Sequence, residues 1–211
     1  TCIAPDYLFA HQSIKDELLN KIAKNIELMY GKEIKNSRFY PRIITDQAFE
    51  RLTDLLDQGT IHTGGDTDPT EKFIAPTIID NVKPEFKVMQ GEIFGPILPV
   101  LTFNHIEEAI SSINEGEKPL AFYYFGSNAK AKKVLSKTSS GGACVNDTLL
   151  HIVNHHLPFG GVGHSGIGKY HGYHSFLAFS NQRSVVTSST WIDLSLKYVP
   201  FKHFNILKKF I

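Results

Sequence analysis

The sequence predicts an α/β fold in which a largely parallel sheet is flanked by helices, followed by a C-terminal edge strand and tail. Three observations carry that expectation. From residue 97 onward, apolar strand-like runs alternate with helical patterns at the lengths of βαβ units, which bring successive strands parallel. Near the start, Ile14, Leu18, Leu19, Ile22, Ala23, Ile26 and Met29 recur at the spacing of one helical face. With 42% hydrophobic and 20% charged residues over 211 positions, the chain can bury a sizeable core.

Taken in order, residues 7–10 form a short apolar run that reads as a strand. Ser13 then stands as the expected N-cap of the first helix, with Asp16 three residues on, and Gly31 can end that helix. Residues 46–58 predict a second helix with Phe49, Leu52, Leu55 and Leu56 on one face and Gly59 beyond it. Residues 60–70 are polar and contain Gly64, Gly65 and Pro69, which predicts a loop. Residues 73–79 read as a strand interrupted by Pro76, and a residue that cannot donate to a ladder favours an edge or an irregular segment.

The next run, 97–103, is a clearer strand. Asn104 is the expected cap of the helix after it, with Glu107 completing a capping box and Ile106, Ala109, Ile110 and Ile113 facing inward. Residues 120–125 predict an aromatic-rich strand, Ser127 opens a helix through about residue 136, and 143–145 return to strand. After Ser180 the character changes. Residues 183–189 are β-branched and polar, as in an exposed edge strand, and residues 191–211 mix apolar positions with Lys197, Lys202, Lys208 and Lys209. That tail can pack on the domain, stay loose, or lie on a membrane surface. The chain therefore divides at 1–180, 181–190 and 191–211.

Composition narrows the function classes. A net charge of +1 gives no reason to expect a nucleic-acid partner. Two cysteines, Cys2 and Cys144, are too few for a disulfide framework and point to a reducing, cytoplasmic setting. No run approaches the roughly 18 apolar residues of a membrane span, and no signal peptide is visible. The chain opens without an initiator Met, which leads us to expect a fragment or a processed chain.

Several segments carry candidate chemistry. Cys2 sits in Thr1-Cys2-Ile3-Ala4-Pro5-Asp6 and by itself reads first as a packed core thiol at a strand edge. Gly91-Glu92-Ile93-Phe94-Gly95-Pro96 places a carboxylate and an aromatic ring in a tight loop before a strand. Such a carboxylate can accept hydrogen bonds from two sugar hydroxyls while the ring covers a flat heterocycle; it can also be a solvated acid in a turn. Residues 161–166 match G-x-G-x-x-G, but no strand precedes them, further glycines interrupt any following helix, and no acid lies about 20 residues on. A loop needing positive φ or close backbone approach explains these glycines better. His151, His155, His156, His164, His171 and His174 fall in a Pro- and Gly-broken stretch without thiol or acid partners at ligand spacing, so no metal is expected.

Read together, the segments resemble the C-terminal half of an aldehyde dehydrogenase catalytic domain. Thr1-Cys2-Ile3-Ala4-Pro5-Asp6-Tyr7 resembles the family's nucleophile segment, and Glu92-Ile93-Phe94-Gly95-Pro96 its cofactor loop. Asn146-Asp147, residues 157–168, Tyr170-His171-Gly172, Ser175-Phe176, Phe179-Ser180 and Arg183-Ser184 resemble the class 3 branch, whose members act on fatty and aromatic aldehydes. The resemblance covers about residues 1–186. It departs from the branch at His164, where Asn is more usual, and in the tail.

The resemblance implies a catalytic-domain fold of the aldehyde dehydrogenase type. It makes Cys2 the nucleophile, which would give a thiohemiacetal, pass hydride to NAD or NADP, and leave a thioester for water to hydrolyse. Glu92 would hold the ribose beside the nicotinamide, and Phe94 would pack on that ring. Leu149, Ile152, Val153, Phe159 and His171 match positions that line or close an apolar substrate funnel. Cys144 matches no role and is expected in the core. The family's dinucleotide-binding domain, general-base Glu and oxyanion Asn precede the nucleophile, so the 211-residue chain alone is expected to show little or no dehydrogenase activity.

The same resemblance implies a homodimer paired through the C-terminal edge strand. It also leaves open a membrane-associated location on the face of the endoplasmic reticulum, since some class 3 members carry a C-terminal anchor. Two other readings stand beside this one. A non-catalytic remnant or splice product could keep only the dimerising surface. An N-terminal-nucleophile hydrolase could use the hydroxyl and α-amine of Thr1, and that fold calls for stacked antiparallel sheets.

Overall fold

The computed structural model describes residues 1–193, 198–200, 205, 208 and 209. They fall into two compact units, Thr1–Ala178 and Phe179–Ile211. In the first, the elements run β1 (Leu8–His11), α1 (Lys15–Tyr30), α2 (Asp46–Thr53), β2 (Thr60–Thr63), β3 (Thr67–Asp68), β4 (Phe73–Ile74) and β5 (Thr77–Asp80). There follow β6 (Ile97–Phe103), α3 (Ile106–Glu115), β7 (Ala121–Tyr124), α4 (Asn128–Leu135), β8 (Gly142–Val145), α5 (Leu150–Val153) and α6 (Gly172–Ala178).

The main sheet has the order β1-β6-β5-β2. Strand β6 is parallel to both β1 and β5, and β2 joins the far side of β5 antiparallel. Strands β7 and β8 form a separate parallel pair, and β3 and β4 a short antiparallel one. The β6 boundaries are those its sequence predicts. Its apolar run lies inside the sheet, with Ile97, Val100 and Leu101 at 6% exposure or less.

Other elements depart from expectation for identifiable reasons. Ser13 does not cap α1: its hydroxyl hydrogen-bonds the His11 ring at 2.8 Å, and Ile14 occupies the cap position. Gly31 ends α1 as expected, at φ 85°, with its N–H donating to the Glu27 carbonyl. Helix α2 stops at Thr53, several residues early, and turns carry the chain to Gly59 while still burying Leu55. The box at α3 is shifted by one residue, because the Glu108 carboxylate accepts from the Asn104 and His105 N–H groups at 3.1 and 3.3 Å.

The polar stretch 60–70 contains β2 and β3 rather than only loop. Strand β2 is an edge with Thr60, Ile61 and His62 all exposed, so it lacks the alternation that signals a half-buried strand. Pro76 does interrupt the 73–79 run, yet β5 lies inside the sheet, between β6 and β2. Pro76 falls in the break before β5, where its missing N–H removes no ladder bond.

The core joins α2, the sheet and the segment before β6: Phe49, Leu52, Leu55, Ile74, Ile79, Val82, Val88, Ile93 and Ile97 pack together. Each such side chain stabilises the fold by about 1.5–3 kcal/mol on burial. Ala10, Leu19, Ile78 and Val100 seat α1 on the other face. The glycine-rich segment is held by close approach, since a Cβ on Gly161 would lie 2.0 Å from the Ser165 carbonyl oxygen.

In the second unit, residues 181–189 form no strand within the chain. The tail at 191–211 lies partly outside the described residues, including Lys197 and Lys202, whereas Lys208 and Lys209 are exposed. Among the described residues no helix is long and apolar enough to cross a membrane.

Candidate active site

The segment around Cys2 is a tight turn, closed by a hydrogen bond from the Ala4 N–H to the Thr1 carbonyl at 3.0 Å. Cys2 is exposed while its neighbour Ile3 is 2% exposed, so the apolar side chain anchors the turn and leaves the thiol outside. Two further bonds fix the segment. The Tyr123 hydroxyl donates to the Ile3 carbonyl at 2.5 Å, and the Asp6 carboxylate accepts from the Ile93 N–H at 3.0 Å. Burial pushes the Asp6 carboxyl above its ordinary range; the Ile93 N–H and the Arg51 guanidinium pull the other way.

Ile93 is the middle residue of the Glu92-Ile93-Phe94 loop and is clamped at both peptide groups. Its N–H reaches Asp6, and its carbonyl accepts from Arg51 of α2 at 2.6 Å. With Ile93 2% exposed, Glu92 and Phe94 on either side are left at the surface. Phe94 has φ 51° and is 58% exposed. A non-glycine residue held there costs about 1–3 kcal/mol and persists only where its surroundings impose it. Beside it lies a cavity of about 310 Å³ lined by Thr1, Ala4, Pro5, Glu92, Phe94 and Pro96, among others. An exposed carboxylate and an exposed ring at the rim of a cavity fit a ribose and a flat heterocycle.

The expected funnel residues lie in and around α5. Leu149 has φ 66° and stands at the start of α5, where Ile152 is half-buried and Val153 is 65% exposed. Phe159 is 7% exposed, and its ring lies between those of His151 and His171 at 5.8 and 5.7 Å. Phe159 therefore backs this wall rather than offering open surface. His171 has φ 93°, its N–H donates to the Ser175 hydroxyl at 2.9 Å, and its Nδ1 is buried without a partner. Cys144 is half-buried rather than sealed in the core, with Sγ 3.3 Å from the His151 Nδ1. His164 pairs with Glu117 at 3.0 Å. Among the described residues no three His, Cys, Asp or Glu side chains gather as a metal-binding group.

Comparison with known proteins decides what frame these features belong to. The model of the aldehyde dehydrogenase family matches residues 1–185. The chain belongs to the aldehyde dehydrogenase family. It is 42% identical over 214 aligned residues to 4,4'-diaponeurosporen-aldehyde dehydrogenase of Staphylococcus aureus, covering 100% of this chain and 47% of that protein. It is 47% identical over 190 residues to the dimeric NADP-preferring aldehyde dehydrogenase of Rattus norvegicus, covering 90% of this chain and 42% of the relative. The solved structure of Staphylococcus aureus AldH in its substrate-bound state superposes with a TM-score of 0.89 at 41% identity, over 100% of this chain and 47% of that one. The chain thus spans about half the length of these relatives.

An aldehyde dehydrogenase fold also agrees with the parallel pairing of β1, β6 and β5, which departs from the stacked antiparallel sheets of N-terminal-nucleophile hydrolases. Within this family member, sequence reading singled out Cys2, Glu92 and Phe94 but not the residues that hold them. Asp6 carried a weak signal as an acid four residues after the thiol, behind a proline. Arg51 and Tyr123 carried none, because each reads as an ordinary member of a helix or an aromatic strand.

Proposed function

We propose that this chain carries the thiol-bearing half of an NAD- or NADP-dependent aldehyde dehydrogenase acting on medium- and long-chain aliphatic or aromatic aldehydes. The observation that supports it most is the Cys2 turn itself. The thiol is exposed, and the segment that carries it is hydrogen-bonded on one hand to Ile93 of the Glu92-Phe94 loop, through Asp6, and on the other to Tyr123, through the Ile3 carbonyl. Cys suits this chemistry because it is nucleophilic near neutral pH and its thiolate leaves readily.

In the proposed reaction the Cys2 thiolate adds to the aldehyde carbon, forming a C–S bond and a tetrahedral alkoxide. Collapse of the alkoxide expels hydride and leaves an acyl thioester on Cys2. When bound, the dinucleotide supplies the hydride acceptor. Water then adds to the thioester, and the C–S bond breaks to release the carboxylate and the thiol. Glu92 holds the ribose hydroxyls, and Phe94 covers one side of the nicotinamide. Leu149, Ile152 and Val153 offer apolar surface to the substrate chain, with Phe159 and His171 packed behind and beside them. Cys144 takes no part.

The protein acts as a homodimer in this reading, with residues 183–187 adding a strand to the partner's sheet. Val185 and Val186 are 71% and 88% exposed, which is the surface such pairing would cover. The name of the rat relative describes that protein as dimeric.

The test is NAD(P)H formation from hexanal and benzaldehyde by the full-length enzyme that carries these residues. Cys2→Ser is expected to abolish it and Cys144→Ser to leave it intact. Activity that survives Cys2→Ser would contradict the assignment.

A further inference from the structure

We propose that Tyr123 is a positioning residue for Cys2: its hydroxyl fixes the peptide carbonyl that follows the thiol and registers it against the turn at Leu149. The inference rests on the reading of Cys2 as the nucleophile. Its starting point is one bond across 120 residues of sequence, from the Tyr123 hydroxyl to the Ile3 carbonyl at 2.5 Å. A phenol has one hydrogen to give and lone pairs to receive. The backbone N–H of Leu149 acts on the same oxygen, so the hydroxyl joins the thiol segment to the first residue of the substrate wall.

The surroundings hold the phenol in place. Tyr123 lies opposite Cys144 in the parallel β7–β8 register, and paired residues face the same side of a sheet. The Cys144 Sγ is 3.3 Å from the His151 Nδ1, and the His151 ring lies 6.0 Å from the Tyr123 ring. Strand, thiol and imidazole thus form a fixed seat for the ring. Burial, followed by the neighbouring Cys144 and Cys2 thiols, raises the Tyr123 pKa, so the phenol keeps the proton it donates.

Both groups that the hydroxyl reaches need an external constraint. Ile3 is 2% exposed, so water has little access to the turn on that side. Leu149 stands at φ 66°, a strained conformation for a branched-chain residue that its neighbours must impose. Because the Ile3 carbonyl is one residue from Cys2, a small shift there moves the sulfur. Misplacement of a reacting atom by about 1 Å can lower a rate about 100-fold. A tyrosine serving stability alone would act on the fold as a whole and leave the relative reactivity of the two thiols unchanged.

The experiment is alkylation of the 211-residue chain by iodoacetamide as a function of pH, followed at each cysteine by peptide mass spectrometry. Tyr123→Phe keeps the ring and removes the donor. It is expected to change the rate at Cys2 by about five-fold or more while the rate at Cys144 moves far less. A Cys2 rate equal to wild type in folded Tyr123→Phe protein would overturn the proposal. A difluorotyrosine at position 123 provides a second test, should the phenylalanine variant not fold. Its phenol ionises nearer neutrality, so the Cys2 rate should show a step with pH that wild type lacks, and a profile without that step also overturns the proposal. The underlying reading fails separately, through aldehyde oxidation that survives Cys2→Ser; if Cys2→Ser abolishes oxidation but Tyr123→Phe leaves alkylation unchanged, only the positioning role is lost.

Discussion

Asp6 and Ile93 are joined by a hydrogen bond of 3.0 Å across 87 residues of sequence, and that bond links the thiol turn to the loop that carries Glu92 and Phe94. The Arg51 side chain closes the arrangement by binding the Ile93 carbonyl. The thiol segment, through Asp6, and the loop with the proposed cofactor groups therefore meet at Ile93. Movement of the Glu92-Phe94 loop is carried to the thiol segment through the Asp6 carboxylate, which receives the Ile93 N–H.

Asp6→Ala removes the acceptor and leaves the Ile93 N–H buried without a partner, at a cost of about 1–3 kcal/mol. Asp6→Asn keeps a carbonyl acceptor and should behave differently. The folded state raises the Asp6 pKa above its ordinary value near 3.8, so ionising this group lowers stability as pH rises through the window just above that value. We expect Asp6→Asn to be at least as stable as wild type at neutral pH, with the advantage fading in acid. Urea unfolding of both variants at about pH 4 and pH 7 checks the sign.

Gly161→Ala should disrupt the glycine-rich loop. The added methyl would meet the Ser165 carbonyl oxygen at 2.0 Å and the Gly166 nitrogen at 2.4 Å, and backbone cannot give way as a side chain can. Strain of this kind costs about 1–3 kcal/mol or more. Gly168→Ala meets no neighbouring atom, although its φ of +80° still strains an alanine, so a smaller loss is expected. Thermal unfolding of the two variants side by side measures the difference.

Lys15 and Asp80 form an ion pair at 2.6 Å with side chains 11% and 14% exposed, fastening α1 to β5. The hydrogen bond to Asp80 holds the Lys15 ammonium above its usual pKa, so the lysine's contribution is present at neutral pH and is lost as alkali deprotonates it. Asp80→Ala strands a nearly buried charge and should cost about 3 kcal/mol. Adding Lys15→Met should recover most of it. A double-mutant cycle in urea gives the coupling directly.

His151 is 8% exposed, and burial lowers its pKa below 6.5. The unfolded chain then takes up a proton that the folded chain does not, so stability falls as pH drops below about 6.5. His151→Phe removes that contribution. The stability difference between wild type and variant should narrow or reverse between about pH 7 and pH 5, as measured by unfolding at fixed temperature.

Much of this architecture was legible where one physical signal dominated. The run 97–103 is apolar and bounded by Pro96 and Asn104, so its strand could be placed at both ends. Cys2, Glu92 and Phe94 could be singled out as candidates because each stands in a short, compact motif, residues 1–6 and 91–96. Strand β2 was not legible, since its single apolar residue, Ile61, lies in a polar run and is exposed like Thr60 and His62 beside it. The bonds from Tyr123 to Ile3 and from Asp6 to Ile93 were not legible either. Each joins residues roughly a hundred positions apart and leaves no local periodicity, so only the folded chain brings the partners together.

The most direct measurement of the central claim is the site at which the chain is acylated. Incubated with an activated ester such as p-nitrophenyl hexanoate, which delivers an acyl group to a thiol without a cofactor, the chain should form a thioester on Cys2. Peptide mass spectrometry should place the hexanoyl group there, hydroxylamine should remove it, and Cys144 should remain free. Acylation that spares Cys2 while labelling Cys144 or the Thr1 amine would contradict the account.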